Sequence, residues 1–131
     1  MVTLDQVAKA CLTLPGVEEV DRRGQRTWKL GEKTFAWERT FSKADIRRYG
    51  DAPIPSDPIV AVRVADEAEK AAVLAQGRSG FFTIPHFDGF SAVLIELGRA
   101  KAAEVRESLI DGWLVYADEA AARKVLGQRK P

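Results

Sequence analysis

The amino-acid sequence predicts an α+β protein, a two-layer sandwich in which one mainly antiparallel sheet of about five strands carries helices packed on one face. Three observations lead there. Segments with strand-like alternation and segments with helical periodicity follow one another in the order α, β, β, β, α, β, β, α, α. The strand-like runs come in groups separated by turn residues, which favours antiparallel pairing. The length, 131 residues, fits one domain of common size, so a single domain over residues 1–131 is expected.

The first helix is predicted from Leu4 to Leu14. Thr3 stands at its N-cap with Gln6 three residues on, the pattern of a capping box, and Leu4, Val7, Ala8, Cys11 and Leu14 recur on one face. Pro15-Gly16 ends it, and Val17 to Gly24 reads as a connector, acidic at its start and basic at its end. Gln25 to Glu38 then reads as a β-hairpin. Gly31-Glu32 suits a type II′ two-residue turn, because glycine adopts the positive φ that the first turn position requires. That turn places Leu30 opposite Lys33, Trp28 opposite Phe35 and Arg26 opposite Trp37, with all three aromatic residues on one side of the ribbon, packed as core. Arg39 to Pro58 contains Pro53, Pro55 and Pro58, which donate no ladder N–H, and predicts an exposed loop with a short helical turn at Ser42 to Arg48.

Ile59 to Val64 is a β-branched strand. Asp66 to Glu69 opens a second helix with a cap and acids in its first turn, and Gly77 sits where a helix-ending glycine belongs. Phe81 to Ile84 and Phe90 to Leu97 form a second hairpin across residues 85–89. A third helix from Ala102 carries Val105, Leu109, Trp113 and Tyr116 on one face. Asp118-Glu119 caps a fourth that stops at Gly127, and Gln128 to Pro131 is a frayed tail.

The composition, 46% apolar and 30% charged, is that of a soluble globular chain, and no run of eighteen apolar residues suggests a membrane span. Asp5 and Lys9 interrupt the stretch where a secretory signal needs its apolar core, so cytoplasmic residence is expected, with a monomer as the default. Cys11 is the single cysteine and stands on an apolar helix face, which excludes an intrachain disulfide and points to packing. Net charge is only +1, but it is unevenly spread: residues 21–48 hold nine Lys/Arg against four acids, for +5, while the segments on either side each sum to −2.

The nine bases are Arg22, Arg23, Arg26, Lys29, Lys33, Arg39, Lys43, Arg47 and Arg48. Gathered on one surface, they neutralise phosphates; scattered, they are solvated surface serving solubility. Trp28, Phe35 and Trp37 have the chemistry to stack bases, but their shared face favours packing against helices. His86, the sole histidine, lies in a turn between aromatic residues where it can meet a phosphate or another ligand. No nucleophile elbow or glycine-rich phosphate loop accompanies it, so no enzyme and no cofactor is expected. Glu18, Glu19 and Asp21, and Asp66, Glu67 and Glu69, are acidic clusters without a convincing metal-ligand set, the second being a helix cap.

Four stretches together resemble the MmcQ/YjbR-like family. Residues 12–19, Leu-Thr-Leu-Pro-Gly-Val-Glu-Glu, are similar to the family's first helix ending in Leu-Pro-Gly, and residues 28–36 look like its first hairpin. Residues 81–89, Phe-Phe-Thr-Ile-Pro-His-Phe-Asp-Gly, resemble its aromatic-Pro-His-aromatic-Gly turn, and Gly112 to Ala117 resembles the end of its penultimate helix. Two departures stand out: the proline-rich segment at 50–58 is long for the family, and Phe90-Ser91 stands where a Trp usually follows the second turn. The resemblance implies a CyaY/frataxin-like fold and a double-wing DNA-binding motif. It makes DNA the expected partner, met mainly at the phosphate backbone through Arg22, Arg23, Arg26, Lys29, Lys33, Arg39, Lys43, Arg47, Arg48 and His86. The frataxin-like relatives bind iron through an acidic first helix, and here that helix carries only Asp5, so no metal is expected. The alternative is a small-molecule or protein-binding module, with no role for nucleic acid, using a cleft beside His86 and Trp113.

Overall fold

A computed structural model describes residues 2–39, 58–84, 87 and 89–129. The predicted helical turn at 42–48 and the prolines at 53 and 55 lie outside these residues.

Helix α1 runs Leu4–Leu12 and starts with the predicted capping box: Gln6 N donates to Thr3 Oγ1 at 3.2 Å and Thr3 N donates to Gln6 Oε1 at 2.9 Å. Its Val7, Ala8 and Cys11 are buried, and burial raises the Cys11 thiol pKa far above its ordinary value, which keeps it an inert packing group. Six strands follow in one fully antiparallel sheet: β1 (Val17–Arg22), β2 (Gln25–Leu30), β3 (Lys33–Glu38), β4 (Ile59–Arg63), β5 (Phe81–Phe82) and β6 (Ala92–Glu96), in spatial order β1-β2-β3-β4-β6-β5. Helices α2 (Glu67–Ala75), α3 (Ala102–Leu114) and α4 (Glu119–Arg129) complete the elements of the described residues. Asp66 and Asp118 cap α2 and α4 by accepting from Glu69 N and Ala121 N, each at 2.8 Å.

The α+β sandwich is as predicted, with one strand more than expected. Residues 17–24 are not a connector but β1 and a second two-residue turn. Arg23 (φ 54°) and Gly24 (φ 83°) both adopt positive φ, the signature of a type I′ turn, and Asp21 Oδ1 accepts from Gly24 N at 2.9 Å. The strand escapes pattern reading because it places a carboxylate, Glu19, beside the core. Glu19 pairs in register with Trp28 and accepts from the Trp28 indole (3.0 Å) and from Arg26 Nε (2.9 Å), while Arg26 also reaches Asp5 of α1 (2.7 Å). The charge is satisfied where it sits, so β1 tolerates it.

The β2–β3 register begins as predicted, with Leu30 opposite Lys33 around Gly31 (φ 61°). It then slips. Lys29 faces Thr34 but Trp28 faces Ala36, so Phe35 is an extra residue, a β-bulge. Trp28 and Phe35 remain together on the helix side, both fully buried with Ala36. The predicted pairings Trp28–Phe35 and Arg26–Trp37 are therefore replaced, and Trp37, paired with Thr27, turns to the opposite face.

Two cores result. The larger joins Trp28, Phe35, Val60, Val62, Val93 and Ile95 of the sheet to Val7 and Cys11 of α1 and to Val105, Leu109 and Trp113 of α3. The smaller lies on the other face, where Ile84 and Phe87 fold back over Ile59, Ala61, Ala92 and Leu94, flanked by Trp37 and Phe82. Buried Lys70 of α2 holds that cover in place by donating to the carbonyls of Phe87 and Phe90, the latter at 2.9 Å.

Helix α3 meets the sheet at Gly112. A Cβ there would lie 2.8 Å from Val62 Cγ1, 3.1 Å from Arg63 O and 3.3 Å from Phe35 O. Helix propensity favours Ala by about 1 kcal/mol, but overpacking against backbone costs roughly 1–3 kcal/mol. Gly112→Ala is therefore expected to destabilise in urea unfolding; a stabilised variant would show that α3 sits further from the sheet.

Hydrogen bonds from Arg26 and Trp28 hold the Glu19 carboxyl below its usual range. A depressed folded pKa contributes stability above the unfolded value and loses it as pH falls through the folded value. Glu19→Gln is thus expected to be less stable than the parent at neutral pH, with the gap narrowing as pH drops below about 4.5. A gap constant from neutral to strongly acid pH would refute the clamp.

Candidate anion-binding groove

Alternation along β1 to β4 sends Arg22, Gln25, Thr27, Thr34, Trp37 and Arg63 to the face away from the helices. There, beside the smaller core, they line a groove of about 620 Å³ together with Arg23, Glu32, Lys33, Phe90 and Tyr116. It runs along the β2–β3 hairpin, whose six-residue strands span on the order of 17 Å. The floor is hydroxyl and aromatic: Thr27, Thr34 and Trp37 from the sheet, with Phe90 packed 6.0 Å from Trp37.

Its electrostatics follow from which cations have partners. Arg26, Arg78 and Arg99 pair with Asp5 and Glu19, with Glu104 and Glu107, and with Glu96 respectively. The pairing raises the Arg26 pKa above its already high value, through Glu19 first and Asp5 second. Among the described residues no carboxylate pairs with Arg22, Arg23, Lys33 or Arg63, the four cations of the groove, and Glu32 is the one carboxylate in its lining. Arg63 is held by neutral groups instead. Its Nε donates to the Tyr116 hydroxyl at 2.8 Å, and its guanidinium lies 4.8 Å from the Phe90 ring centroid.

The ten residues expected to contact DNA separate clearly. Arg22, Arg23 and Lys33 line the groove. Lys29 points to the same face, opposite Thr34, without lining it. Arg26 is on the helix side in the clamp with Glu19 and Asp5. Arg39 extends β3, its N–H donating to Ile59 O at 2.9 Å and its guanidinium 5.5 Å from the Phe87 ring. Lys43, Arg47, Arg48 and His86 lie outside the described residues. The alternative cleft beside Trp113 needs correction: Trp113 is fully buried and its indole donates to Pro15 O at 3.1 Å, so it offers a ligand no surface. Tyr116 also differs from expectation, lying beyond the end of α3 and spending its hydroxyl on Arg63.

Arg63, Phe90 and Tyr116 were not among the residues expected to bind a ligand. One faint signal existed for Arg63, a single charge closing the otherwise buried run Ile59 to Val62. Phe90 opens the second strand of the predicted second hairpin, and Tyr116 falls on the predicted apolar face of the third helix.

Among the described residues, no group of three or more His, Cys, Asp or Glu is placed to hold a metal ion, and no helix is long and apolar enough to cross a membrane.

Uncharacterized proteins of Mycobacterium bovis and Mycobacterium tuberculosis are 39% identical over 120 residues, covering 89% of this chain and 90% of theirs. The crystal structure of a Deinococcus radiodurans protein with a DUF419 domain matches with a TM-score of 0.59 at 20% identity, over 97% of this chain and 89% of that one, a likeness of fold. The YjbR family model matches residues 12–115, from the end of α1 to the end of α3, and the chain belongs to the YjbR family.

Proposed function

We propose that the protein is a non-enzymatic DNA-binding domain that holds the phosphate backbone through the cationic groove. One observation carries the reading: four cations that no described carboxylate neutralises, Arg22, Arg23, Lys33 and Arg63, converge on one groove. Unpaired cations recruit phosphates and release counterions, and each phosphate contact to duplex DNA lowers log K by about 0.9 per log unit of salt. The groove's volume, about 620 Å³, also suits a small anionic ligand, and this is the second reading.

Anisotropy titration of a labelled random duplex over a salt series tests the first. The expected slope of log K against log salt is about −3, from three or four phosphate contacts. Arg22→Glu should weaken binding and flatten the slope, whereas Arg99→Glu, the same charge change outside the groove, should do much less. Absence of binding at low salt, or equal effects of the two reversals, would overturn the DNA reading. Saturable binding of a mononucleotide that excess duplex does not compete would establish the second.

A further inference from the structure

We infer that the groove selects single-stranded over duplex DNA, seating one phosphate on Arg63 and an unstacked base against the Trp37–Phe90 pair. This deepens the DNA reading above and rests on it. Arg63 is built as an oxyanion seat. Tyr116 fixes its Nε and Phe90 lies under its guanidinium, so the plane of the fork is set before a ligand arrives. Its terminal N–H groups make no hydrogen bond to the described residues and are available to bind two phosphate oxygens. Half-burial at the end of β4 removes part of the competing water, which strengthens the pair relative to the exposed Arg22, Arg23 and Lys33.

The rings beside this seat discriminate between strands. Phe90 is a large apolar side chain left 38% exposed, and it faces a groove already lined by cations. Trp37 packs 6.0 Å away at an interplanar angle of 39°, so the two tilted rings make one aromatic wall in the groove lining. In a duplex the base faces are stacked on one another, and an aromatic wall on a sheet has nothing to receive. An unpaired base has a free π-face, and stacking on protein aromatics or on an arginine plane is how single strands are held without sequence preference. Phosphate seat and aromatic wall adjoin because Arg63 lies against Phe90, which suits a base and its own phosphate.

The test compares a labelled thymidine dodecamer with a duplex of the same length at one salt concentration. The parent protein is expected to bind the single strand about tenfold more tightly, the factor one stacked base supplies. Trp28 and Trp113 are fully buried, so ligand-induced quenching of tryptophan emission should come from Trp37 and vanish in Trp37→Phe. Phe90→Leu, with its fold verified by circular dichroism, should weaken single-strand binding roughly fivefold to tenfold and leave duplex binding unchanged. Arg63→Lys, which keeps the charge but not the fork, should weaken single-strand binding without changing the salt slope by a full phosphate contact. Equal affinity for the two DNAs, absence of quenching, or equal weakening of both by Phe90→Leu would overturn the inference. In that event duplex binding that still responds to salt and to Arg22→Glu preserves the DNA reading, whereas absence of binding to either DNA at low salt removes both.

Discussion

The bulge at Trp28 and Lys29 is the constraint on which the arrangement of the sheet depends. In an unbroken ladder Phe35 and Trp37 share a face and Ala36 opposes them. One extra residue puts Phe35 and Ala36 together beside Trp28, under α1 and α3, and frees Trp37 for the other side. The large core thus gains two aromatic residues without a third that would overfill it. The opposite face gains an indole, around which Phe87 and Phe90 gather. Without the slip Trp37 would lie on the helix side, and the groove would lose the indole from its floor.

Charge follows the same division. On the helix side the cation at the start of β2 is locked: Arg26 gives three N–H groups to Glu19 and Asp5, and Glu19 also takes the Trp28 indole proton. That knot ties α1, β1 and β2 together and leaves Arg26 little capacity for a ligand. On the groove side the cations are held by neutral atoms or by none. Two arginines on opposite faces of the sheet, Arg26 and Arg63, therefore have opposite roles, and the difference lies in their neighbours rather than in their own chemistry.

Much of the fold was legible because its signals are local. A capping box, two Asp caps, a Gly-first turn and a β-branched run each rest on interactions within a few residues, and each is found where expected. β1 was not legible, since acids are depleted in strands and Glu19 becomes acceptable only through Arg26 and Trp28 on the next strand. The bulge has no local signature, and only the burial of Phe35 with Trp28 and of Trp37 on the far face reveals it. The groove was half legible: the basic bias of residues 21–48 led to Arg22, Arg23 and Lys33. Arg63, Phe90 and Tyr116 were read as parts of a strand, a hairpin and a helix but not as partners of those bases, to which only tertiary contacts join them.

That division of the groove between distant parts of the chain has a consequence for the order of folding. Strands β1, β2 and β3 are joined by two-residue turns and can pair on the timescale of hairpins. They bring Arg22, Thr27, Thr34 and Trp37 together early. Arg63, Phe90 and Tyr116 reach the same place through long-range contacts: β4 against β3, Lys70 on the carbonyls of Phe87 and Phe90, and α3 over the sheet with Trp113 bonded to Pro15, 98 residues away. A meander still waiting for its C-terminal half would present loose cations and a bare indole, but not the seat. The completed groove is therefore a property of the native state alone, and its occupancy distinguishes a finished molecule from a partly assembled one.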